Sequence, residues 1–141
     1  MTKSESFDQE HLSRLAAYCD AFEARDFVFG TWAGGETDAD GITRMPYFTL
    51  GDDAEAFLQH CYNDGWVMRD FDWGQWKESP EAIALRDIPE KLGSATPYQL
   101  AALLTVIIRQ ERFCEGSLQD AFKSGLILSI LKRAKALTSG A

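Results

Sequence analysis

The stretch of this sequence with the greatest capacity for chemistry is Arg109-Gln-Glu-Arg112-Phe-Cys-Glu115-Gly116. Arg109 and Arg112 are three residues apart, so on a helix they project to one side. Two guanidinium groups placed this way can fork onto a phosphate or a carboxylate. Arginines in a helix's last turn also suit the negative end of its dipole and can bond its free carbonyls. Glu115 is then either their structural partner or a carboxylate at a pocket edge. A second group is Phe71-Asp72-Trp73-Gly-Gln-Trp76, with Trp66 a few residues before it. Trp73 and Trp76 share a face if the segment is helical, and Asp72 adds a fixed polar group of the kind recognition surfaces use. The competing reading is a small aromatic core that covers an apolar helix.

Other candidates are weaker. Cys114 follows the arginines, but a nucleophilic cysteine needs a histidine base, and nothing in the sequence brings His11 or His60 near it. Glu36-Thr-Asp38-Ala-Asp40-Gly41 imitates a calcium loop until the position of the bidentate glutamate, which is Tyr47. An acidic, solvated hairpin tip is the better reading. Cys19, Cys61 and Cys114 form no C-x-x-C and read as small core residues in a reducing compartment. No zinc spacing, Walker loop, dinucleotide fingerprint or nucleophile elbow occurs, so no metal or cofactor is expected.

The elements that must position these residues follow from periodicity. Ser6 to Gln9 reads as a capping box before a helix of about four turns that buries Leu12, Leu15, Cys19 and Phe22. Phe27–Trp32 and Ile42–Leu50 are β-rich and flank a Gly/Asp loop, which predicts a hairpin with Pro46 at an edge or bulge. Asp52 to Glu55 predicts a second capping box, with Ala54, Phe57, Leu58, Cys61 and Tyr62 inward and Gly65 ending the helix. Trp66-Val-Met68 is expected to be a third short strand. Ser79-Pro80 and Thr96-Pro97 start further helices. The second of these carries Leu100, Leu103, Leu104, Ile107 and Ile108, runs to about Phe113, and is the predicted central helix. Ser117 opens another helix, Gly125 breaks it, and the last one exposes Lys132, Arg133 and Lys135. The expected fold is mainly helical α+β, five to six helices around the central apolar helix with a small antiparallel hairpin. A single domain over residues 1–141 is expected, with 1–6 and 138–141 frayed.

Bulk properties narrow the function classes. Residues 1–90 carry 7 Lys/Arg against 19 Asp/Glu, a net −12, while residues 91–141 carry 7 against 3, a net +4. The longest nearly apolar run, Leu100 to Ile108, is nine residues, far short of a bilayer span. No secretory signal opens the sequence, so a cytoplasmic protein is expected. The overall acidity argues against nucleic acid as partner.

Met45-Pro-Tyr, Cys61-Tyr-Asn-Asp-Gly-Trp66-Val, Phe71-Asp-Trp73-Gly-Gln-Trp76 and Arg109-x-Glu-Arg-Phe-Cys-Glu-Gly116, continuing to Ile130-Leu-Lys-Arg133, resemble an uncharacterised bacterial family, the DUF6508-like domain of unknown function. The resemblance spans about Phe29 to Leu137 and implies a compact domain, with no activity to transfer. Two functions stand as expectations. The first is a non-enzymatic protein-binding or regulatory module, such as an acidic inhibitor or adaptor from a mobile element (an anti-defence protein, for example), with another protein as partner. The second is an enzyme or ligand-binding domain, with Trp66, Asp72, Trp73, Trp76, Arg109, Arg112 and Glu115 around a pocket for an anionic small molecule.

Overall fold

The computed structural model describes residues 7–24, 30–43, 47–111 and 116–138. The fold is mainly helical α+β, with one two-stranded antiparallel sheet among these residues. Helix α1 (Gln9–Ala16) starts at Asp8, whose carboxylate accepts the His11 backbone N–H at 3.0 Å. Ser6 lies outside the described residues. Gln9, the other member of the predicted box, is the first helical residue, and its amide donates to the Leu137 carbonyl at 3.2 Å. The expected four-turn helix is divided at Ala17, after which α2 (Tyr18–Glu23) continues the same buried stripe of Leu12, Leu15, Cys19 and Phe22.

Strands β1 (Gly30–Ala33) and β2 (Tyr47–Leu50) pair from Gly30↔Leu50 to Ala33↔Tyr47. Phe27–Phe29 and Pro46 of the predicted hairpin lie outside the described residues. At the tip, Asp38 Oδ1 accepts the N–H groups of Asp40 and Ile42, at 2.9 and 3.0 Å. That carboxylate organises its own turn, as aspartate commonly does.

Helix α3 (Asp52–Asn63) begins after Gly51 without a side-chain cap. The predicted capping box is not made, because Asp52 is already helical. Asp52, Asp53 and Glu55 instead crowd the first turn, where the dipole favours negative charge. Ala54, Phe57 and Cys61 are buried, but Tyr62, expected inward, is 44% exposed. A residue directly after Cys61 lies about 100° around the helix, off the buried stripe. Gly65 ends the element at φ +83°. A Cβ there would meet no atom within 4 Å, so only the left-handed backbone penalises a side chain. Gly65→Ala is expected to cost about 1–2 kcal/mol in urea unfolding; an unchanged midpoint would contradict the assignment.

Trp66–Met68 forms no strand. Its polar groups are met by a helix hydroxyl: Thr105 Oγ1 accepts from the Met68 N–H at 3.0 Å and lies 3.1 Å from the Trp66 carbonyl. Helices α4 (Trp73–Trp76, capped by Asp72), α5 (Pro80–Asp87, capped by Ser79) and α6 (Pro89–Leu92) follow. Helix α7 (Pro97–Gln110) opens with the predicted box, Thr96 and Gln99 bonding each other's backbone. Every residue from Leu100 to Ile108 is buried, which makes α7 the central helix, since only a helix covered on all sides tolerates such a composition. Its predicted end, Phe113, is outside the described residues.

Helices α8 (Ser117–Lys123) and α9 (Leu126–Thr138) are separated by Gly125 at φ +85°. Helices α1 and α2 lie along α9, and α7 contacts α4, α8 and α9. Two expectations about α9 change. Arg133 is half-buried, because its Nε donates to the Ala95 carbonyl at 2.9 Å. Thr138, placed in the frayed end, is the last helical residue, and its hydroxyl donates to the Lys135 carbonyl at 2.6 Å.

Candidate functional site

Two adjoining features gather side chains around the end of α3. The first is a surface cleft of about 370 Å³. Phe7, Val67, Met68 and Phe71 give it apolar walls, and Tyr62, Gly65, Arg69 and Asp70 complete its lining. Phe7 is held by stacking on Trp66, with ring centroids 4.4 Å apart and planes 16° from parallel. Trp66 is itself fully buried, and its indole N–H has no acceptor among the described residues. Trp66 therefore supports the cleft from behind and is not a contact residue.

The second feature is a cluster on Asp64. Arg14 of α1 donates to both oxygens, Nε to Oδ2 at 3.1 Å and Nη2 to Oδ1 at 3.0 Å, the forked geometry that suits a carboxylate. His11 Nε2 lies 3.9 Å from Oδ1 and His60 Nε2 lies 3.6 Å from Oδ2. His11 also places Nδ1 2.9 Å from Asp8 Oδ1. Both histidines of the chain thus converge on one carboxylate, clasping α1 to α3. Phe7 joins this cluster to the cleft, with its ring edge-on to His11 at 6.0 Å.

Burial holds His60 below the usual imidazole pKa; Asp64 opposes that shift, while Arg14 and His11 reinforce it. The Tyr18 ring covers the imidazole, with centroids 5.3 Å apart. A folded-state pKa below the unfolded value means that the unfolded chain binds the proton first. His60 therefore costs nothing well above pH 6.5, and its penalty grows as pH falls from there toward the folded pKa, with a limiting slope of about 1.4 kcal/mol per pH unit. Urea midpoints of the native chain are expected to fall between pH 7.5 and 5.5, and less steeply for His60→Gln. Parallel curves would refute this role.

The predicted site residues separate. Asp72 is an exposed cap that accepts the Gln75 N–H at 3.2 Å. Trp76 is half-buried against Phe71, centroids 5.7 Å apart, and its Nε1 donates to Glu81 Oε1 at 3.2 Å. The other Glu81 oxygen accepts from Gln99 at 2.8 Å, and Phe71 meets the Tyr98 ring at 6.1 Å. This set ties α4 and α5 to the first turn of α7, and Trp73 is half-buried beside it. Arg109 stands eleven residues beyond Tyr98, about 16 Å further along the helix. Its Nε is buried without an acceptor among the described residues. Arg112, Cys114 and Glu115 lie outside the described residues. The carboxylate seen at that junction is Glu111, which accepts the N–H groups of Gly116 and Leu118 at 3.2 and 2.8 Å.

Sequence reasoning missed the Asp64 cluster and the cleft. The spacings were visible, His11 with Arg14 and His60 with Asp64, each pair one helical turn apart. Only packing brings the two pairs together. Cys19 and Cys61 are buried and free; burial pushes the Cys19 thiol to about 11 and raises Cys61 further, so neither supplies a thiolate near neutrality. Among the described residues no group of three or more His, Cys, Asp or Glu side chains is arranged to hold a metal ion, and no helix is long and apolar enough to cross a membrane.

The fold and this surface define a mainly helical α+β domain with an aromatic-walled cleft beside a histidine–aspartate–arginine cluster. The chain belongs to DUF6508, a family of unknown function whose model matches residues 7–140. No curated protein and no solved structure matches it.

Proposed function

We propose that this chain is a non-enzymatic protein-binding module that acts in the cytoplasm and engages a basic surface of another protein. The observation that carries this reading is the state of its acidic excess. Asp40, Asp52, Asp53, Glu55, Glu78 and Asp87 are exposed and make no ion pair among the described residues. Had the acidic and basic halves merely neutralised each other, many pairs would join them. Among the described residues the ion pair between the halves is Asp20–Lys135, at 3.3 Å. Unspent negative charge steers association with a basic partner and repels phosphate backbones. The free, buried thiols suit a reducing compartment.

The competing reading, a pocket for an anionic small molecule around the tryptophans and arginines, draws less support. Two of its described members occupy opposite ends of α7, Trp76 beside the first turn through Phe71 and Glu81 and Arg109 in the last turn, while Trp66 is buried and bonded at Thr105 between them.

The test is capture from host lysate on the immobilised chain at low and high salt, beside Asp40→Asn/Asp53→Asn/Glu55→Gln. A stoichiometric partner is expected, bound at least tenfold more weakly by the variant and released near 1 M salt, where screening shortens to about 3 Å. A partner indifferent to both salt and neutralisation would sink the proposal.

A further inference from the structure

We propose that the cleft over Phe7 is a binding site for a free amino acid with a large apolar or aromatic side chain, gripped through both of its backbone charges by Arg69 and Asp70. This inference does not rest on the acidic-surface reading, because the cleft can be filled whether or not a protein partner is present.

Size sets the first limit. A volume of about 370 Å³ lies at the lower end of small-molecule pockets, which run from about 300 to 1,000 Å³. That accommodates an amino acid. The walls set the second. Phe7, Val67, Met68 and Phe71 present apolar surface, and the exposed Tyr62 adds an aromatic flank. Two of these walls are held in place, since Phe7 is stacked on the fully buried Trp66 and Met68 is tied through its N–H to Thr105. Gly65 contributes no side chain to the cleft, and a Cβ there would meet nothing within 4 Å.

Charge sets the third limit. Arg69 and Asp70 both line the cleft and both are exposed, yet among the described residues neither makes an ion pair or a side-chain hydrogen bond, not even with each other. The neighbouring charges behave differently: Arg14 is spent on Asp64 in a two-oxygen fork. A simple anion in this cleft would be repelled by Asp70, and a simple cation by Arg69. A zwitterion satisfies both, its carboxylate on the guanidinium and its ammonium on the aspartate, while its side chain covers the apolar walls.

The experiment is a titration of the full ¹⁵N-labelled chain with L-phenylalanine, L-leucine, 3-phenylpropionate and phenethylamine, following the amides of residues 65–71. Saturable shifts are expected with both amino acids, and about tenfold weaker binding for each single-charge analogue. Arg69→Ala should weaken phenylalanine and 3-phenylpropionate about tenfold and spare phenethylamine. Asp70→Ala should do the reverse. Both side chains are exposed, so both variants retain the fold. Absence of saturable shifts with the two amino acids overturns the proposal. So does equal binding of all four probes, which would leave an apolar cleft without charge recognition, or indifference to both substitutions.

Discussion

Trp66→Ala is expected to destabilise the fold by about 3–5 kcal/mol, the range for removing a large aromatic side chain from a packed core. Trp66 is fully buried, and the ring it stacks on, Phe7, loses its support when the indole is removed. Trp66→Phe should cost far less, under about 2 kcal/mol, because the stacking surface is largely retained and the indole N–H has no acceptor among the described residues to lose. Urea unfolding of the two variants against the native chain measures both. The comparison also decides what Trp66 is for. A recognition residue would lose binding on truncation and keep stability, so an alanine variant within 1 kcal/mol of the native chain would return Trp66 to the surface.

The second large effect is expected at Thr105, the one polar residue among the buried positions of α7. Its hydroxyl accepts from the Met68 N–H and can donate either to the Trp66 carbonyl, at 3.1 Å, or to the Ala101 carbonyl, at 2.8 Å. Valine has the same shape and no hydroxyl. Thr105→Val therefore leaves a half-buried N–H without its acceptor and a buried carbonyl without its donor, at up to about 1–3 kcal/mol for each unsatisfied group. A total loss of about 2–4 kcal/mol is expected, with Thr105→Ser, which keeps the hydroxyl, well below that. Hydrogen exchange gives the local readout: the Met68 amide should exchange faster in the valine variant than in the serine one. Equal protection in both would mean that the hydroxyl does not hold this segment. Because Met68 lines the cleft, the same bond links the central helix to the proposed ligand site.

The four expected effects differ in kind. Trp66 and Thr105 report packing and satisfied polar groups in the core. Gly65 reports backbone conformation, and His60 reports a proton that the unfolded chain takes up more readily. Only the last depends on pH in the neutral range, so a stability difference that appears on acidification alone belongs to the Asp64 cluster.

Local rules carried the reading of the helices a long way. Ser79-Pro80 and Thr96-Pro97 mark helix starts because the cap and the fixed proline φ act within one turn. The stripes Leu12–Leu15–Cys19 and Ile127–Ile130–Leu131–Ala134 are buried because a 3.6-residue period commits one face to the core. Gly65 and Gly125 stand where a left-handed residue was required. The hairpin and the central place of α7 followed from composition alone.

At two places the expectation failed because a neighbour distant in sequence prevailed. Trp66–Met68 has the residues of a strand, but a strand needs a ladder partner, and a helix hydroxyl 39 residues from Trp66 takes that part. Arg133 has the spacing of a solvated lysine-like position, and the carbonyl of Ala95 draws it in. The cleft and the Asp64 cluster share this origin. His11 and Arg14 are one turn apart on α1, and His60 and Asp64 one turn apart on α3. Each pair is an ordinary helical spacing that predicts nothing about the other, because side-chain rules of this kind extend three or four residues. By itself the sequence determined the starts of α5 and α7, the glycine turns and the main apolar stripes of the long helices. The packing of α1 against the end of α3 decided which charges meet and where Phe7 lies against Trp66, because contacts across fifty residues are selected by burial of whole faces and not by any local spacing.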